Sequence, residues 1–338
     1  MPASIVADYG ASIVSDDGAS IVAGVEALPE ADIGTGPAPV NRNAFDGEFT
    51  SGQAYHLCQS SWIWFSSAVL TMQTVFTQKD PKWFCTGLEC SESSQDDFCD
   101  IPRDSWEWED RNESIVSTWD LICDSSWRVS FSGSAFFFGF LWGAGIFGLL
   151  ADRYGRRPTL HLAIGLTAAV SFANAAAPTY WVYVSLLTLV GFGLGGTGVV
   201  SFVLAMEAIA QKYRGPAGIS TQYFWCAGAA ALPLFAYLLP HWRHLTVATA
   251  CIPLLHIFVA PFLKESPRWL AIQGNHEQAT AVMEAIHGAG ASAPLASAES
   301  ESPEETLLDL KRSPALTTRL SILLFAWPTV TIAGHGPR

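Results

Sequence analysis

The stretch Gly148-Leu-Leu-Ala-Asp152-Arg153-Tyr-Gly155-Arg156-Arg157 places a carboxylate at the edge of an apolar run and three guanidinium groups just beyond it. An acid at such a boundary is costly unless it finds a partner. Gly148 lets a neighbouring helix approach closely, and Gly155 permits a tight turn. Two further charged elements follow similar apolar runs: Glu207 with Arg214-Gly215, and Glu265-Ser-Pro-Arg268. The chemistry on offer is ion pairing, worth about 0–1 kcal/mol for an exposed pair. Nothing in the chain reads as a nucleotide-binding loop, a metal cluster or a nucleophile with its base, so no enzyme activity and no cofactor are expected. His161 and His256 lie in apolar runs, read as isolated, packed or hydrogen-bonded side chains rather than catalytic ones.

Cys85, Cys90, Cys99 and Cys123 share one polar loop with the sequon Asn112-Glu-Ser114. Disulfides and glycosylation both belong to the secretory lumen. Four cysteines allow three pairings, and the pattern leaves the choice open. The loop lacks histidine, which argues against a metal site. Cys58, Cys226 and Cys251 fall inside apolar runs and read as small hydrophobes.

The elements that carry these groups are long and apolar. Half of the 338 residues are hydrophobic and 14% are charged, against about a quarter charged in soluble chains, and the mean hydropathy is positive. Val129 to Ala151 contains no ionisable side chain, and about 20 such residues cross a bilayer core. Six spans are predicted, at about 55–76, 129–151, 160–177, 181–206, 219–239 and 245–263. The first is diluted by Gln59, Ser60, Ser61, Ser66, Ser67 and Gln73. Residues 1–54 read as a disordered cytosolic tail with the repeat Ala-Ser-Ile-Val at 3, 11 and 19. The cysteine loop spans 77–128, a cytosolic linker 264–319, and an incomplete seventh span 320–338. Within the linker, Gly274 to His287 predicts a short amphipathic helix and Ala289 to Pro303 a flexible stretch. Arg153, Arg156 and Arg157, then Lys212 and Arg214, then Lys264 and Arg268 all fall on one face if the N-terminus is cytosolic. Gly139 with Gly143, and Gly191 with Gly195, form small-xxx-small pairs that predict close helix packing. The net charge of −13 sits in segments outside the bilayer, and with no basic tract no nucleic-acid partner is expected.

The Gly148–Arg157 stretch resembles the loop between the second and third spans of the major facilitator superfamily. Together with Glu207, Arg214, Glu265 and Arg268 it resembles the cytosolic charge network of sugar porters and organic-cation transporters. That resemblance implies gating roles for Gly148, Asp152, Arg153, Gly155, Arg156, Arg157, Glu207, Arg214, Glu265 and Arg268, and names no substrate ligands. A long cysteine loop ending in Trp119-Asp120-Leu-Ile-Cys123-Asp124 is similar to the organic cation/carnitine transporters. Phe202-Val-Leu-Ala-Met206-Glu207 with Arg214-Gly-Pro-Ala-Gly-Ile-Ser-Thr221-Gln-Tyr-Phe224 looks closest to their plant branch. The chain departs from that pattern at Met206, where the family has Thr, and at Ala68–Thr71, where plant members carry an Asp. The family's spans 7 to 12 have no counterpart here. The implied fold is all-α membrane: a six-helix N-terminal facilitator bundle, a cytosolic linker and a truncated seventh span. The implied function is secondary transport of organic cations or carnitine-like zwitterions across a lipid bilayer, plasma or vacuolar. A proton or a sodium ion is left open as the coupling ion. A sugar-porter-like transporter and a non-transporting truncated product are the rival readings.

Overall fold

The computed structural model describes residues 49–86, 99, 101–259, 262–288, 317, 318 and 321. Most of the predicted tail, Cys90, the stretch 289–303 and nearly all of the predicted seventh span lie outside the described residues.

Helix α1, Ser51–Thr77, starts inside the region expected to be a tail. Thr50 accepts from the Gln53 amide and the Gln53 side chain returns to the Thr50 amide, a reciprocal cap that is worth about 1 kcal/mol. The polar residues that dilute this helix all point inward. Gln53, His56, Gln59, Ser60, Ser61, Ser66, Ser67 and Gln73 are buried. Several bond within the helix, as Ser60 Oγ does to the His56 carbonyl at 2.9 Å. Others cross to neighbours: the Thr249 hydroxyl donates to Gln73 Oε1, and His56 Nε2 lies 3.4 Å from the Leu204 carbonyl.

Among the described residues, helices α3 (Trp127–Tyr154) and α5 (Tyr180–Glu207) are the two that are long and apolar enough, by length and composition, to cross a membrane. A five-residue α2, Ile115–Trp119, precedes them. On α3 the buried positions are Ser132, Phe136, Gly139, Gly143, Phe147 and Ala151, one stripe at helical spacing. Phe137, Phe138, Leu141, Trp142 and Leu149 are exposed on its other faces, as befits a helix solvated by lipid. The stripe seats against α5 through its glycines. A Cβ on Gly143 would meet the Phe192 carbonyl oxygen at 1.8 Å, and one on Gly195 the Phe140 oxygen at 2.0 Å. Backbones this close leave no room for any side chain.

Helices α4 (Arg156–Ala175) and α6 (Arg214–Leu238) complete the long elements. The predicted sixth span is broken: α7 runs Trp242–Leu254 with Pro253 inside it, and α8 is His256–Val259. Proline cannot donate to the ladder and crowds the preceding turn.

The cysteine loop is folded rather than extended. Strands β1 (Trp83–Cys85) and β2 (Trp106–Trp108) pair antiparallel with Trp83 opposite Trp108. Cys99 is bonded to Cys123, and Cys85 is also disulfide-bonded. Asp120, in the left-handed region at φ 48°, accepts from Trp108 Nε1 at 2.7 Å and from Arg103 at 3.3 Å. Trp119 inserts among Tyr180, Tyr183 and Trp242, with centroid distances of 6.2, 5.4 and 5.5 Å. Trp242 Nε1 donates to Thr118 Oγ1 at 3.0 Å, so the indole buries its ring and satisfies its polar edge. The loop thus caps one end of the helices.

At the opposite end two short helices follow the spans, α9 (Pro267–Ile272) and α10 (His276–His287). Ser266 caps α9 by accepting from the Trp269 amide, with Pro267 at the first position, an arrangement that suits proline's fixed φ.

Candidate functional site

The charged residues singled out from sequence meet where α3 turns into α4. Gly155 makes that turn at φ +104°, a conformation that disfavours any Cβ. Arg156 is the hub. Its Nη1 donates to Asp152 Oδ1 at 2.7 Å, while Nε and Nη2 grip both oxygens of Glu207 at 3.3 Å. Side-chain exposure is 11% for Arg156 and 13% for Glu207, but 67% for Asp152. The fork to Glu207 is therefore the partner that water screens least.

Glu265 works through the backbone. It accepts from the amides of Arg156 at 2.9 Å and Arg157 at 3.2 Å, the first amides of α4, which have no partner inside the helix. Trp269 Nε1 donates to the Asp152 carbonyl at 2.8 Å, closing the end of α3. A Cβ at Gly155 would come within 2.8 Å of Glu265 Oε2. The end of α3, the start of α4, the end of α5 and the linker are thus drawn to one point.

Not every expected member joins. Arg214 Nε donates to the Ile209 carbonyl at 3.1 Å instead of pairing with Glu207; it pins the turn after α5. Arg153 lies over the Tyr154 ring at 5.5 Å. Arg268 is exposed. Gly148 has nothing within 4 Å of where its Cβ would stand, so the close approach expected there falls instead on Gly139 and Gly143. Asn112 is exposed in the outer loop, and its sequon partner Ser114 is buried as the cap of α2. Cys58, Cys226 and Cys251 are free and exposed rather than packed inside the protein.

The linker also clasps the first helix. The Thr50 hydroxyl donates to the Ile286 carbonyl at 2.8 Å. Gln53 Nε2 sits 2.9 Å from His287 Nδ1, and His287 Nε2 sits 3.1 Å from the Ala208 carbonyl. Burial lowers the His287 imidazole below its ordinary range, against a smaller raising effect of that carbonyl.

A second feature went unread in the sequence. Trp64, Ser67 and Thr71 of α1, Phe140 of α3, five residues of α5 including Phe202, and Trp225 of α6 line an open hollow of about 340 Å³. Trp64 stands edge-on to Phe202 and to Trp225, each at 6.2 Å. The signal was four aromatic residues on four helices, invisible until the helices are assembled. Among the described residues no trio of His, Cys, Asp or Glu could hold a metal ion.

Residues 54–330 match the sugar (and other) transporter family. Organic cation/carnitine transporter 4 of Arabidopsis thaliana is 38% identical over 243 residues, covering 71% of this chain and 46% of that protein. Organic cation/carnitine transporter 2 of Homo sapiens is 32% identical over 252 residues, covering 69% and 44%. Among solved structures, the proton:xylose symporter XylE bound to 6-bromo-6-deoxy-D-glucose shares the fold with a TM-score of 0.50 at 18% identity, over 70% of this chain and 49% of that one. A double-tryptophan mutant of XylE gives 0.52 at 17% identity, over 70% and 50%. The chain spans about half the length of the curated relatives it matches. With the fold, the charged turn and 277 consecutive residues (54 through 330) in agreement, the chain belongs to the sugar (and other) transporter family of the major facilitator superfamily.

Proposed function

We propose that the chain forms the substrate-facing half of a secondary transporter for organic cations or carnitine-like zwitterions, working by alternating access. The observation that carries this reading is the aromatic hollow. A quaternary ammonium is weakly hydrated and gains about 0.5–2 kcal/mol from each ring face it meets. Trp64, Phe202 and Trp225 offer three rings, and Ser67 and Thr71 are the polar residues of the wall. A sugar in the same place would bury several hydroxyls, each costing about 1–3 kcal/mol if left unpaired. The wall carries too few donors and acceptors for that, which favours a cation over a sugar.

In this reading the Arg156 cluster is the cytosolic gate, with Asp152, Glu207 and Glu265 as the carboxylates it releases when that side opens. The disulfide-bonded loop lies outside, and Asn112 is a glycosylation site. Tryptophan quenching by carnitine or tetraethylammonium, with the chain in lipid nanodiscs, tests the hollow. Trp64→Ala and Trp225→Ala should each weaken binding by roughly 2- to 30-fold. Unchanged affinity in both variants, or equal competition by glucose, would sink the cation reading.

A further inference from the structure

The sequence suggested that His161 and His256 are isolated, and the structure brings them together. His161 of α4 and His256 of α8 have ring centroids 5.7 Å apart. His256 is 2% exposed, and neither of its ring nitrogens has a hydrogen-bond partner. His161 Nδ1 lies 2.6 Å from the Arg157 carbonyl. A carbonyl can only accept, so Nδ1 carries the hydrogen and Nε2 carries a lone pair. That Nε2 is buried and unpartnered as well. Unpaired buried polar groups are rare in folded proteins and ask for an explanation.

We propose that His161 and His256 form a proton-binding site, holding one proton between the two imidazoles. With His161 held by the Arg157 carbonyl, rotation of the unbonded His256 side chain can bring one of its nitrogens to His161 Nε2, and an imidazolium N–H then donates to an imidazole lone pair. The proton comes from water and no bond to carbon changes. Two imidazolium ions at this spacing would repel in an apolar setting, so the pair takes one proton and not two. A metal ion fits poorly, because two rings supply two ligands where a structural zinc needs four.

The carboxylates on the elements packed against α4 are already engaged, Asp152 of α3 and Glu207 of α5 by Arg156 and Glu265 by backbone amides. α1 carries Tyr55, His56 and Cys58, with the His56 ring directed to the Leu204 carbonyl. α7 carries Arg243, His244 and Cys251, and α4 supplies Arg156 and Arg157 a turn earlier than His161. From the linker come Lys264 and Glu265, and the Glu265 carboxylate is held by the Arg156 and Arg157 amides. His161 is half-buried and lies five residues into α4, about 7.5 Å from its charged end. A proton therefore enters from that side.

Arg157 connects the site to the gate. Its amide donates to Glu265 and its carbonyl accepts from His161. A positive charge on the His161 ring strengthens its bond to that carbonyl and holds the start of α4 in place against the linker. Only this consequence rests on the transporter reading; the binding itself does not.

The test is ring ¹⁵N NMR of histidine-labelled chain in lipid nanodiscs, titrated over about pH 5 to 8. His161 and His256 should move together and gain one proton per chain. His161→Gln and His256→Gln should each abolish the whole uptake, while His244→Gln leaves it intact. Independent titration of the two rings, or two rings that stay neutral while the chain stays helical, would overturn the proposal. So would joint movement on adding zinc at constant pH without any on acidification. Should a variant lose helicity, joint titration of the unaltered chain decides alone. No transport is measured, so failure here leaves the reading of the hollow untouched.

Discussion

Arg156 holds two carboxylates of very different worth. The exposed Asp152 contact should contribute about 0–1 kcal/mol, whereas loss of Arg156 strands the nearly buried Glu207. Removing one partner of a buried pair costs about 3–5 kcal/mol, and the residual exposure here lowers that. We therefore expect Arg156→Gln to lower the melting temperature in detergent far more than Asp152→Asn, with Arg156→Lys in between because it keeps the charge and loses the fork. Equal melting of the Gln and Asn variants would contradict that ranking. Gly155→Ala should cost about 1–3 kcal/mol from its backbone angle alone, with the Glu265 contact adding to it. The type and order of these charged residues were legible in the sequence. Their partners were not: Arg214 bonds to a carbonyl and Glu265 to amides, and backbone contacts leave no mark in residue identity.

The join between α3 and α5 sets a demand that glycine spacing hinted at and coordinates define. Gly143→Ala and Gly195→Ala put a methyl group inside the neighbouring carbonyl, so the helices must part. Overpacking of this kind costs about 1–3 kcal/mol or more. Gly133, Gly145 and Gly198 have nothing within 4 Å of a Cβ, and alanine there should be neutral or stabilising by up to about 1 kcal/mol. Thermal melting of the five variants separates the two groups. At the linker, His287 in α10 makes docking sensitive to pH. Its imidazole is lowered from 6.5 when docked, so the docked state binds fewer protons than the free one. Docking is then full above about pH 6.5 and weakens as pH falls through the lower docked value. Hydrogen exchange of α10 should be faster at pH 5 than at pH 7.5, and His287→Gln should remove the difference.

Across the whole molecule, the long apolar runs announced themselves, since few other structures accommodate Val129–Ala151. The folded cysteine loop did not, because its order comes from Trp119 reaching Trp242 far along the chain and from Asp120 turning back onto Trp108 and Arg103. Reduction should loosen this cap without unfolding the helices: we expect faster cleavage by an external protease between β1 and α2 after dithiothreitol, at unchanged far-UV circular dichroism. The weak first helix is the most instructive case. Its low hydropathy reflects buried polar residues whose distant partners, Leu204 of α5 for His56, Thr249 of α7 for Gln73 and His287 of α10 for Gln53, emerge from the ribosome more than a hundred residues later. Until then a helix bearing Gln53, His56, Gln59 and Gln73 has no satisfactory place in a bilayer. Its insertion must wait at the translocon, or be undone and repeated, until the later spans arrive. Nascent chains halted before α6 should therefore leave α1 extractable by carbonate, and chains extended past α7 should not.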